Sequence, residues 1–310
     1  MARVYDLVMT HKLDADDFFI LRVQQHCAEA GLSFFLIEPT WVQPFYDRFA
    51  QGALWSRVLL NMHSEHHLPQ EIYHRLVRLA HERGTQVIDP PEVALAAFDK
   101  AAMHPRLAAA GFAVPATIIV PRARTDRFQF GDGDRERLGS PFVIKPARGY
   151  GRQGVIFDAL EPTDLARSVT AWPDEAYLLQ RRIAPRLIGG EPAYFRVYFV
   201  FGTIWCCWWN CFTDHYRSLT PEDEVSLGLA PLRTIVARVA ALTGMRFFSS
   251  EIALTDAGEF VLIDYVNDQC HMLAQSADPR IGVPDELVAA VARRLVEGAA
   301  GLIGRAKGSP

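Results

Sequence analysis

Apolar runs alternate with amphipathic stretches along residues 3–90. The runs have the length and β-rich composition of strands: RVYDLVMT, LSFFLIEP, SRVLLNMH and TQVIDP. Helices are predicted between them, one in DADDFFILRVQQHCAEAG with acids in its first turn, and one that Pro69 opens and Gly84 ends. Strands that alternate with helices predict a parallel sheet with helices on its faces. The first loop, MTHKLDADD, lacks the Gly-x-Gly-x-x-Gly pattern of a dinucleotide site.

The pattern changes after the fourth strand to a broken helix, a strand, and a hairpin with a glycine-rich loop. A charged segment at 122–140 precedes two strands, PFVIKPA and GVIFDAL, which bracket Gly149, Gly151 and Gly154. Backbone N–H groups of such a loop can close around a phosphate, and Lys145 adds a positive charge. Because the loop leads to a strand and no Gly-Lys-Ser/Thr follows, phosphate would bind under a β-hairpin flap. A flexible hairpin tip is the plainer alternative.

A helix is predicted at 221–243, and a second hairpin at 247–267, where two apolar runs flank the turn TDAG. Its Gly258 supplies the positive φ of a tight turn. Each run carries one carboxylate, Glu251 in the first and Asp264 in the second, and Asn267 follows. Burial of a carboxylate is costly unless a cation or hydrogen bonds compensate. Two acids and an amide oxygen suit Mg²⁺, with Mn²⁺ as a substitute, whereas solvent-facing acids at strand ends are the alternative.

Polar residues at the ends of the first and third strands are candidate substrate contacts, because ligands gather beyond the carboxyl ends of parallel strands. They are Thr10, His11, Asn61, His63, Glu65, His66 and His67. For the histidine cluster at 63–67, a plain surface loop and, with least support, a zinc site are the alternatives. Arg217, in the loop NCFTDHYRS, can clamp a carboxylate through two hydrogen bonds or lie at the surface without a role.

Composition narrows the class of protein. The chain has 310 residues, 50% of them hydrophobic and 22% charged, as in a globular protein of two or three subdomains. Its net charge of −4 gives no reason to expect nucleic acid as a partner. The polar start is not a signal peptide and no apolar run approaches a membrane span, so no membrane partner and a cytoplasmic location are expected. An odd number of cysteines, 5, favours reduced thiols.

The order of these pieces resembles the ATP-grasp superfamily across residues 85–270. The motifs that carry the resemblance are FDKAAMHPRLAAAGFAVPATIIV, PFVIKPARGYGRQGV, YLLQRRI, FRVYF and the acidic hairpin. The resemblance implies an α/β and α+β fold, an ATP-grasp fold with an N-terminal pre-ATP-grasp parallel α/β domain. The implied parts are a pre-ATP-grasp domain at 1–95, linker helices and a lid subdomain at 96–185 with its flap at 141–160, and a C-terminal α+β subdomain at 186–310.

The same resemblance assigns roles in ATP binding to single residues. The implied ATP site consists of Lys100, Lys145, Gly149, Gly151, Gly154, Gln180, Arg181, Ile183 and Glu191. In this site the two lysines hold phosphates and the glycines form the flap. The strand at 180–183 reads adenine through its backbone, and Glu191 is the candidate contact for the ribose.

The acidic hairpin acquires its role in the same way. Glu251, Asp264 and Asn267 resemble the ligands of one or two Mg²⁺ ions, and Arg196 resembles the arginine that stabilises the transferred phosphate. The family pattern ends on acid-x-Asn, whereas one extra residue separates Asp264 from Asn267 here. A bulge would restore the geometry, or Asp268 acts as the ligand instead.

The function that the resemblance implies is an ATP- and Mg²⁺-dependent ligase, which activates a carboxylate as an acyl phosphate and joins it to an amine. Arg196 and Arg217 are the candidate catalytic residues, and the partners would be small-molecule or peptide carboxylates and amines. A homodimer is an option for the assembly. Two other functions stay open: an ATP-grasp kinase that phosphorylates a hydroxyl, and a nucleotide-binding protein without catalysis, which the displaced Asn267 keeps under consideration.

Overall fold

The computed structural model describes residues 3–12 and 17–307. Its strands are β1 (Arg3–Thr10), β2 (Phe34–Ile37), β3 (Leu54–Leu60), β4 (Gln86–Ile88), β5 (Thr117–Pro121), β6 (Phe142–Pro146), β7 (Ile156–Ala159), β8 (Ala176–Arg181), β9 (Leu187–Ile188), β10 (Glu191–Pro192), β11 (Tyr194–Val200), β12 (Thr203–Trp209), β13 (Tyr216–Ser218), β14 (Phe247–Leu254) and β15 (Phe260–Asn267).

The helices are α1 (Phe18–Glu29), α2 (Val42–Ala50), α3 (Ile72–Glu82), α4 (Pro91–Phe98), α5 (Lys100–Ala109), α6 (Asp134–Leu138), α7 (Leu165–Ala171), α8 (Pro221–Ser226), α9 (Pro231–Thr243) and α10 (Asp285–Lys307). The acids predicted for the first turn of α1 lie at 14–16, outside the described residues, and at Asp17, which caps the helix by accepting the N–H of Phe19. Among the described helices, none combines the length and the apolar character that crossing a bilayer requires.

The chain forms two compact units. Unit 1 contains residues 1–95, 196–249 and 267–310, and unit 2 contains residues 96–195 and 250–266. The division falls inside β11, β14 and β15, which belong to a five-stranded sheet of order β13-β12-β11-β14-β15. The three-part division predicted from the sequence stays a prediction.

The parallel sheet predicted for the N-terminal part of the chain is confirmed in unit 1. Its order is β2-β1-β3-β4, and β1 pairs with β2 and β3, and β3 with β4, in parallel. One face packs on α2 and α3 through a buried cluster that includes Val8, Phe49, Leu59 and Leu76. Helix α1 packs against α10, the last described helix. This core fixes the carboxyl ends of β1 and β3, beyond which polar side chains follow.

Two predicted helices have different bounds in the structure. Helix α3 begins at Ile72 and not at Pro69, because Glu71 before it has an extended backbone with φ −79° and ψ 147°. The helix predicted at 221–243 is two helices, α8 and α9, and Gly228 between them has a φ of +63°. A residue in the left-handed region ends an α-helix, so the second prediction joined two separate elements.

Unit 2 contains an antiparallel sheet of order β5-β8-β6-β7. Its buried cluster includes Phe142, Leu165 and Tyr177. The broken helix predicted before this sheet is α4 followed by α5. The Oδ1 atom of Asp99 accepts the first free N–H groups of α5, at 3.0 and 3.1 Å, which is the usual way to begin a helix. This cap makes Lys100 the first residue of α5.

The acidic hairpin has the form that its sequence predicts. Strands β14 and β15 are neighbours in the five-stranded sheet, and the turn Thr255–Gly258 joins them. Gly258 has a φ of +78° and donates its N–H to the carbonyl oxygen of Thr255 at 2.9 Å. The turn therefore uses the conformational freedom of glycine to bring two strands with one acid each side by side.

The glycine-rich loop between β6 and β7 packs closely at one end. Gly154 has a φ of +70°, and a Cβ atom there would lie 2.6 Å from Cβ of Trp172 and 2.8 Å from Cγ of Pro146. Gly151 has a φ of +57°, but a Cβ atom there would meet no atom within 4 Å. Close packing therefore requires glycine at position 154, whereas only the backbone conformation favours it at position 151.

Replacing Gly154 by alanine should lower the free energy of unfolding by about 2–5 kcal/mol, since backbone strain costs roughly 1–2 kcal/mol and overpacking roughly 1–3 kcal/mol. Gly151→Ala is the matched control and should cost only about 1–2 kcal/mol, because it adds strain without a clash. Urea denaturation followed by circular dichroism measures both losses. Equal losses in the two variants would contradict close packing at Gly154.

Candidate functional site

Lys100 lies at the start of α5 and is 6% exposed. Its ammonium group donates a hydrogen bond to the carbonyl oxygen of Gly149 at 3.0 Å and lies 3.7 Å from Oδ1 of Asp264. The same nitrogen lies 5.1 Å from the centre of the Phe98 ring. A buried ammonium group needs such neighbours, because its burial without compensation is costly. Lys100 therefore connects the glycine-rich loop with the acidic hairpin inside unit 2.

Lys145 lies on β6 and is 9% exposed. Its ammonium group donates to the carbonyl oxygen of Ile263 at 3.0 Å. Burial is the main cause that lowers the pKa of Lys145 to about 8; the charge of Lys100 contributes to this lowering, whereas Asp264 and Glu251 act in the opposite direction. The amine is thus a cation at neutral pH whose charge is incompletely compensated, and a bound anion would stabilise it.

The predicted metal ligands Glu251 and Asp264 are partly buried carboxylates on the neighbouring strands β14 and β15. The hydroxyl of Tyr194 lies 3.5 Å from Oε2 of Glu251, at the limit of a hydrogen bond. Both carboxylates raise the pKa of Lys145, and Asp264 is an ion-pair partner of Lys100. The structure therefore brings the two predicted phosphate lysines and two of the three predicted metal ligands into one region of unit 2.

The side chain of Gln180 points into the sheet of unit 2. It is 3% exposed, and its Nε2 donates to Oγ1 of Thr117 and to the hydroxyl of Tyr265, both at 2.9 Å. The backbone N–H of Arg181 donates to the carbonyl oxygen of Ala116 at 2.8 Å. The side chain of Gln180 thus joins β8 to β5 and to β15, and the amide of Arg181 joins the end of β8 to the residue before β5.

Two further residues that the sequence predicts as nucleotide contacts, Ile183 and Glu191, belong to unit 2. Ile183 is partly buried and follows β8, which ends at Arg181. Glu191 is exposed and opens β10, where it pairs with Ile188 of β9. The contacts predicted for Ile183 with adenine and for Glu191 with ribose stay predictions.

The two predicted catalytic arginines belong to unit 1, and each lies over a tryptophan. The guanidinium carbon of Arg196 lies 4.7 Å from the centre of the Trp209 ring, and that of Arg217 lies 4.8 Å from the Trp208 ring. Arg217 also lies 3.8 Å from Oδ2 of Asp223, with 53% of its side chain exposed. The aromatic strand β12 therefore orients both cations. Their roles in catalysis stay predictions.

Asn267 is the last residue of β15 and belongs to unit 1. Its Nδ2 donates to the carbonyl oxygen of Ser249 at 3.3 Å, and its own carbonyl oxygen accepts from Sγ of Cys270 at 3.5 Å. These contacts hold the end of β15 against β14. The role of Asn267 as the third metal ligand stays a prediction.

A second polar cluster of unit 1, called here the His–Asp cluster, consists of His66, His67 and Asp268. Oδ2 of Asp268 lies 2.7 Å from Nε2 of His66, and Oδ1 lies 3.3 Å from Nε2 of His67. Burial alone would raise the pKa of Asp268, but the charges and hydrogen bonds of His67 and His66 hold it well below its usual range. Asp268, the alternative third Mg²⁺ ligand, is thus engaged by two histidines. The side chain of Glu65 lies outside the described part.

Polar residues at the carboxyl ends of β1 and β3 form a hydrogen-bonded group. Oγ1 of Thr10 donates to Oδ1 of Asn61 at 2.9 Å, and Nδ2 of Asn61 donates to the carbonyl oxygen of His63 at 3.0 Å. Burial lowers the pKa of His11 to about 4, and His63 and His271 lower it as well. His11 is therefore a neutral imidazole at physiological pH, able to donate or accept a hydrogen bond but not to pair with a carboxylate by charge.

Lys145 should make the free energy of unfolding depend on pH. Its pKa is about 8 in the folded protein against 10.5 in a model amine, so the folded state binds fewer protons between these values. The stability that Lys145 contributes therefore rises with pH across this window and is lost as the pH falls through 8.

The measurement is the free energy of unfolding of the wild type minus that of Lys145→Met, from urea titrations without nucleotide or Mg²⁺. This difference should increase as the pH rises from about 8 towards 10.5. Lys12→Met, which changes an exposed lysine, is the control for the loss of a lysine elsewhere in the chain. A flat difference for Lys145→Met would contradict the lowered pKa.

Comparisons with known proteins give matches at the level of structure. No protein-family model matches the sequence, and no curated protein does. The RimK domain protein ATP-grasp from Sphaerobacter thermophilus DSM 20745 is 18% identical over 96% of this chain and 98% of that chain, with a TM-score of 0.66. D-alanine–D-alanine ligase from Bacillus anthracis, complexed with ATP, is 13% identical over 99% of both chains, with a TM-score of 0.63.

A third match is the ATP-grasp ligase PsnB complexed with a minimal precursor, Mg and ADP. It is 15% identical over 97% of this chain and 99% of that chain, with a TM-score of 0.59. At such identities the likeness establishes the fold. The predicted α/β and α+β class with its N-terminal parallel sheet is confirmed, and this chain has the ATP-grasp fold.

Proposed function

We propose that this protein is an ATP- and Mg²⁺-dependent ligase that activates a carboxylate as an acyl phosphate and joins it to an amine. The observation that carries the proposal is the group of opposite charges in unit 2. The buried ammonium groups of Lys100 and Lys145 lie with the carboxylates of Asp264 and Glu251, and the loop residue Gly149 contacts Lys100. Phosphoryl transfer depends mainly on positioning and charge neutralisation, which these groups supply.

The two lysines are suited to hold the phosphates of ATP. Burial destabilises the charged form of Lys145, so a phosphate in contact with it gains the free energy of restoring that charge. The ammonium group of Lys100 has three donors, so it can bind a phosphate oxygen beside the carbonyl oxygen of Gly149. The loop and the nucleotide would then share one cation, which couples the position of the flap to the presence of phosphate.

The carboxylates of Glu251 and Asp264 fit a Mg²⁺ ion by donor type, because Mg²⁺ prefers hard anionic oxygens and completes its shell with water and phosphate oxygens. When bound, Mg²⁺ neutralises phosphate charge during transfer. Oδ1 of Asp264 lies 3.7 Å from Nζ of Lys100, so this carboxylate lies beside the proposed phosphate position. Asn267 is the proposed third ligand at the end of the same strand.

Ligation is favoured over other chemistry of ATP by the proteins with the same fold. PsnB and D-alanine–D-alanine ligase are ligases, and the structure of PsnB has been solved in complex with the precursor peptide PsnA2. We propose small-molecule or peptide carboxylates and amines as substrates of this protein. Arg196 would stabilise the transferred phosphate, and Arg217 would hold a substrate carboxylate through two hydrogen bonds.

A covalent route through Cys206 or Cys270 has no support. Burial raises the pKa of Cys206 and of Cys270 to about 12, so both thiols stay protonated at neutral pH. A protonated thiol is a poor nucleophile. The proposed reaction needs none, since the amine attacks the acyl phosphate directly and inorganic phosphate leaves.

Removal of either lysine should weaken ATP binding without unfolding the protein. Lys100→Met and Lys145→Met each remove a charge-assisted contact with phosphate that contributes about 1.5–3 kcal/mol, which corresponds to a loss of roughly 10–100-fold in affinity. Isothermal titration calorimetry with ATP and Mg²⁺ measures the loss. Lys12→Met is the control and should bind ATP as the wild type does. Unchanged affinity in both variants would contradict the phosphate role.

Turnover tests the proposed function itself. Release of ADP from ATP should require both a carboxylate and an amine from pooled libraries, and Asp264→Asn should abolish it because a neutral amide cannot replace the metal-binding carboxylate. Asp256→Asn, which alters an exposed acid in the turn of the same hairpin, is the matched control and should keep normal turnover.

The dependence on substrates separates the three candidate functions. ADP release that needs the amine supports the ligase. ADP release with a hydroxyl compound and no amine would identify a kinase, and ATP binding without turnover on any pool would identify a nucleotide-binding protein without catalysis. Either of the latter results would overturn the ligase proposal.

A further inference from the structure

The His–Asp cluster joins two segments that are far apart in the sequence. His66 and His67 belong to the short 3-10 helix Ser64–His67, which follows β3, and Asp268 follows the last residue of β15. The separation between His66 and Asp268 is 202 positions, yet both lie in unit 1. The site proposed for ATP uses none of these three side chains.

The donor atoms of the cluster have the spacing of a metal site. One imidazole nitrogen from each histidine and one carboxylate oxygen of Asp268 all lie within 4.8 Å of one another. Two donors on one tetrahedral ion are roughly 3.3 Å apart, given metal–ligand bonds of about 2.0–2.2 Å. The contact of Asp268 with His67, at 3.3 Å, matches that value, and the contact with His66, at 2.7 Å, is shorter. Small side-chain rotations would therefore bring all three donors onto one ion.

Burial of the negative charge of Asp268 is costly unless this charge is compensated. The side chain of Asp268 is 4% exposed, that of His66 4% and that of His67 1%. A buried carboxylate is retained where cations or several hydrogen bonds satisfy it. Two neutral imidazoles supply at most one hydrogen bond each and leave the charge of the carboxylate uncompensated, whereas a divalent ion compensates this charge with both imidazoles neutral.

The surroundings of His66 contain a further side chain that can donate to a metal ion, Gln269. Its Nε2 lies 2.7 Å from Oδ2 of Asp268 and 2.8 Å from the amide nitrogen of Gln269. One ring nitrogen cannot donate to the carboxylate and accept from the amide at the same time. Turning the amide of Gln269 removes the conflict and places its oxygen beside Nε2, where it can serve as a fourth ligand of a bound metal. The carbonyl oxygen of His66 is meanwhile held by the ring of His74 at 2.8 Å.

We propose that His66, His67 and Asp268 bind one divalent transition-metal ion, with Zn²⁺ as the best match. Imidazole nitrogens and a single carboxylate favour Zn²⁺ and its first-row neighbours over Mg²⁺, which prefers an all-oxygen shell. The ion ties the turn after β3 to the chain directly behind Asn267. This inference does not depend on the proposed ligase activity, because it concerns different residues and a different class of metal.

The test uses the full-length protein, stripped with a chelator, incubated with Zn²⁺ in the presence of excess Mg²⁺, and desalted. Mass spectrometry of the metal content should find one Zn²⁺ per chain in the wild type, and the melting temperature should rise with Zn²⁺ and fall again with chelator. Excess Mg²⁺ keeps Zn²⁺ from the carboxylates of Glu251 and Asp264.

The variants locate the ion. Asp268→Asn and His67→Gln should each lose Zn²⁺, with affinity falling by more than the roughly 10–100-fold that loss of an outer-shell partner causes. His81→Gln, which alters an exposed histidine on α3, is the matched control and should keep the ion. Asp264→Asn should also keep the ion although it lacks turnover, so that failure of this inference and failure of the proposed ligase activity are separately visible.

Two results would overturn the inference. One is a wild-type protein that retains no Zn²⁺ and whose melting temperature does not respond to it. The other is Zn²⁺ retention that is unchanged in both Asp268→Asn and His67→Gln. If these variants fail to fold, Co²⁺ bound to the wild type decides: the intense visible absorption of a four-coordinate ion with nitrogen ligands supports the site, and the weak absorption of hydrated Co²⁺ overturns it.

Discussion

Two ammonium groups reach the interior of unit 2, and the cost of burying their charge determines what surrounds them. Lys100 is compensated by a carbonyl oxygen of the glycine-rich loop and by Asp264, and Lys145 by a carbonyl oxygen of β15. The loop, the start of α5 and the acidic hairpin therefore meet because one electrostatic requirement involves all three. Phosphate and a divalent cation satisfy the same requirement together, since one adds acceptors for the lysines and the other adds positive charge beside the acids.

The elements of this region are predictable from the sequence because their signals are local. Gly258 in a four-residue turn between two apolar runs predicts the hairpin, and alternating strands and helices predict the parallel sheet. The predicted helix bounds were wrong where one residue type is compatible with two local structures. Pro69 suits the first turn of a helix and equally a loop before it, and Gly228 inside a helical pattern is either tolerated or a stop. Only packing decides between such alternatives.

The contacts of single side chains could not be predicted in this way. The pairing of His66 with Asp268 joins positions 202 apart, which no spacing rule connects. A lone lysine on a helix is normally exposed, so the burial of Lys100 follows from the fold and from the order of motifs, not from its neighbours in the sequence. The side chain of Gln180 likewise turns inward because Tyr265, on another strand, offers it a partner. The chemistry of these side chains therefore depends on long-range contacts, which local sequence patterns do not specify.

The packing of α1 against α10 has a consequence for the synthesis of the protein. A chain grows from its N-terminus, so α1 leaves the ribosome before its partner helix α10. Until α10 follows, the packing of α1, which buries apolar side chains such as Phe19 and Val23, is incomplete, and nascent chains with exposed apolar surface are prone to aggregate. Unit 1 is therefore complete only after α10 has been synthesised. A stop codon shortly before α10 would leave the oldest part of the chain uncovered although its own sequence is intact.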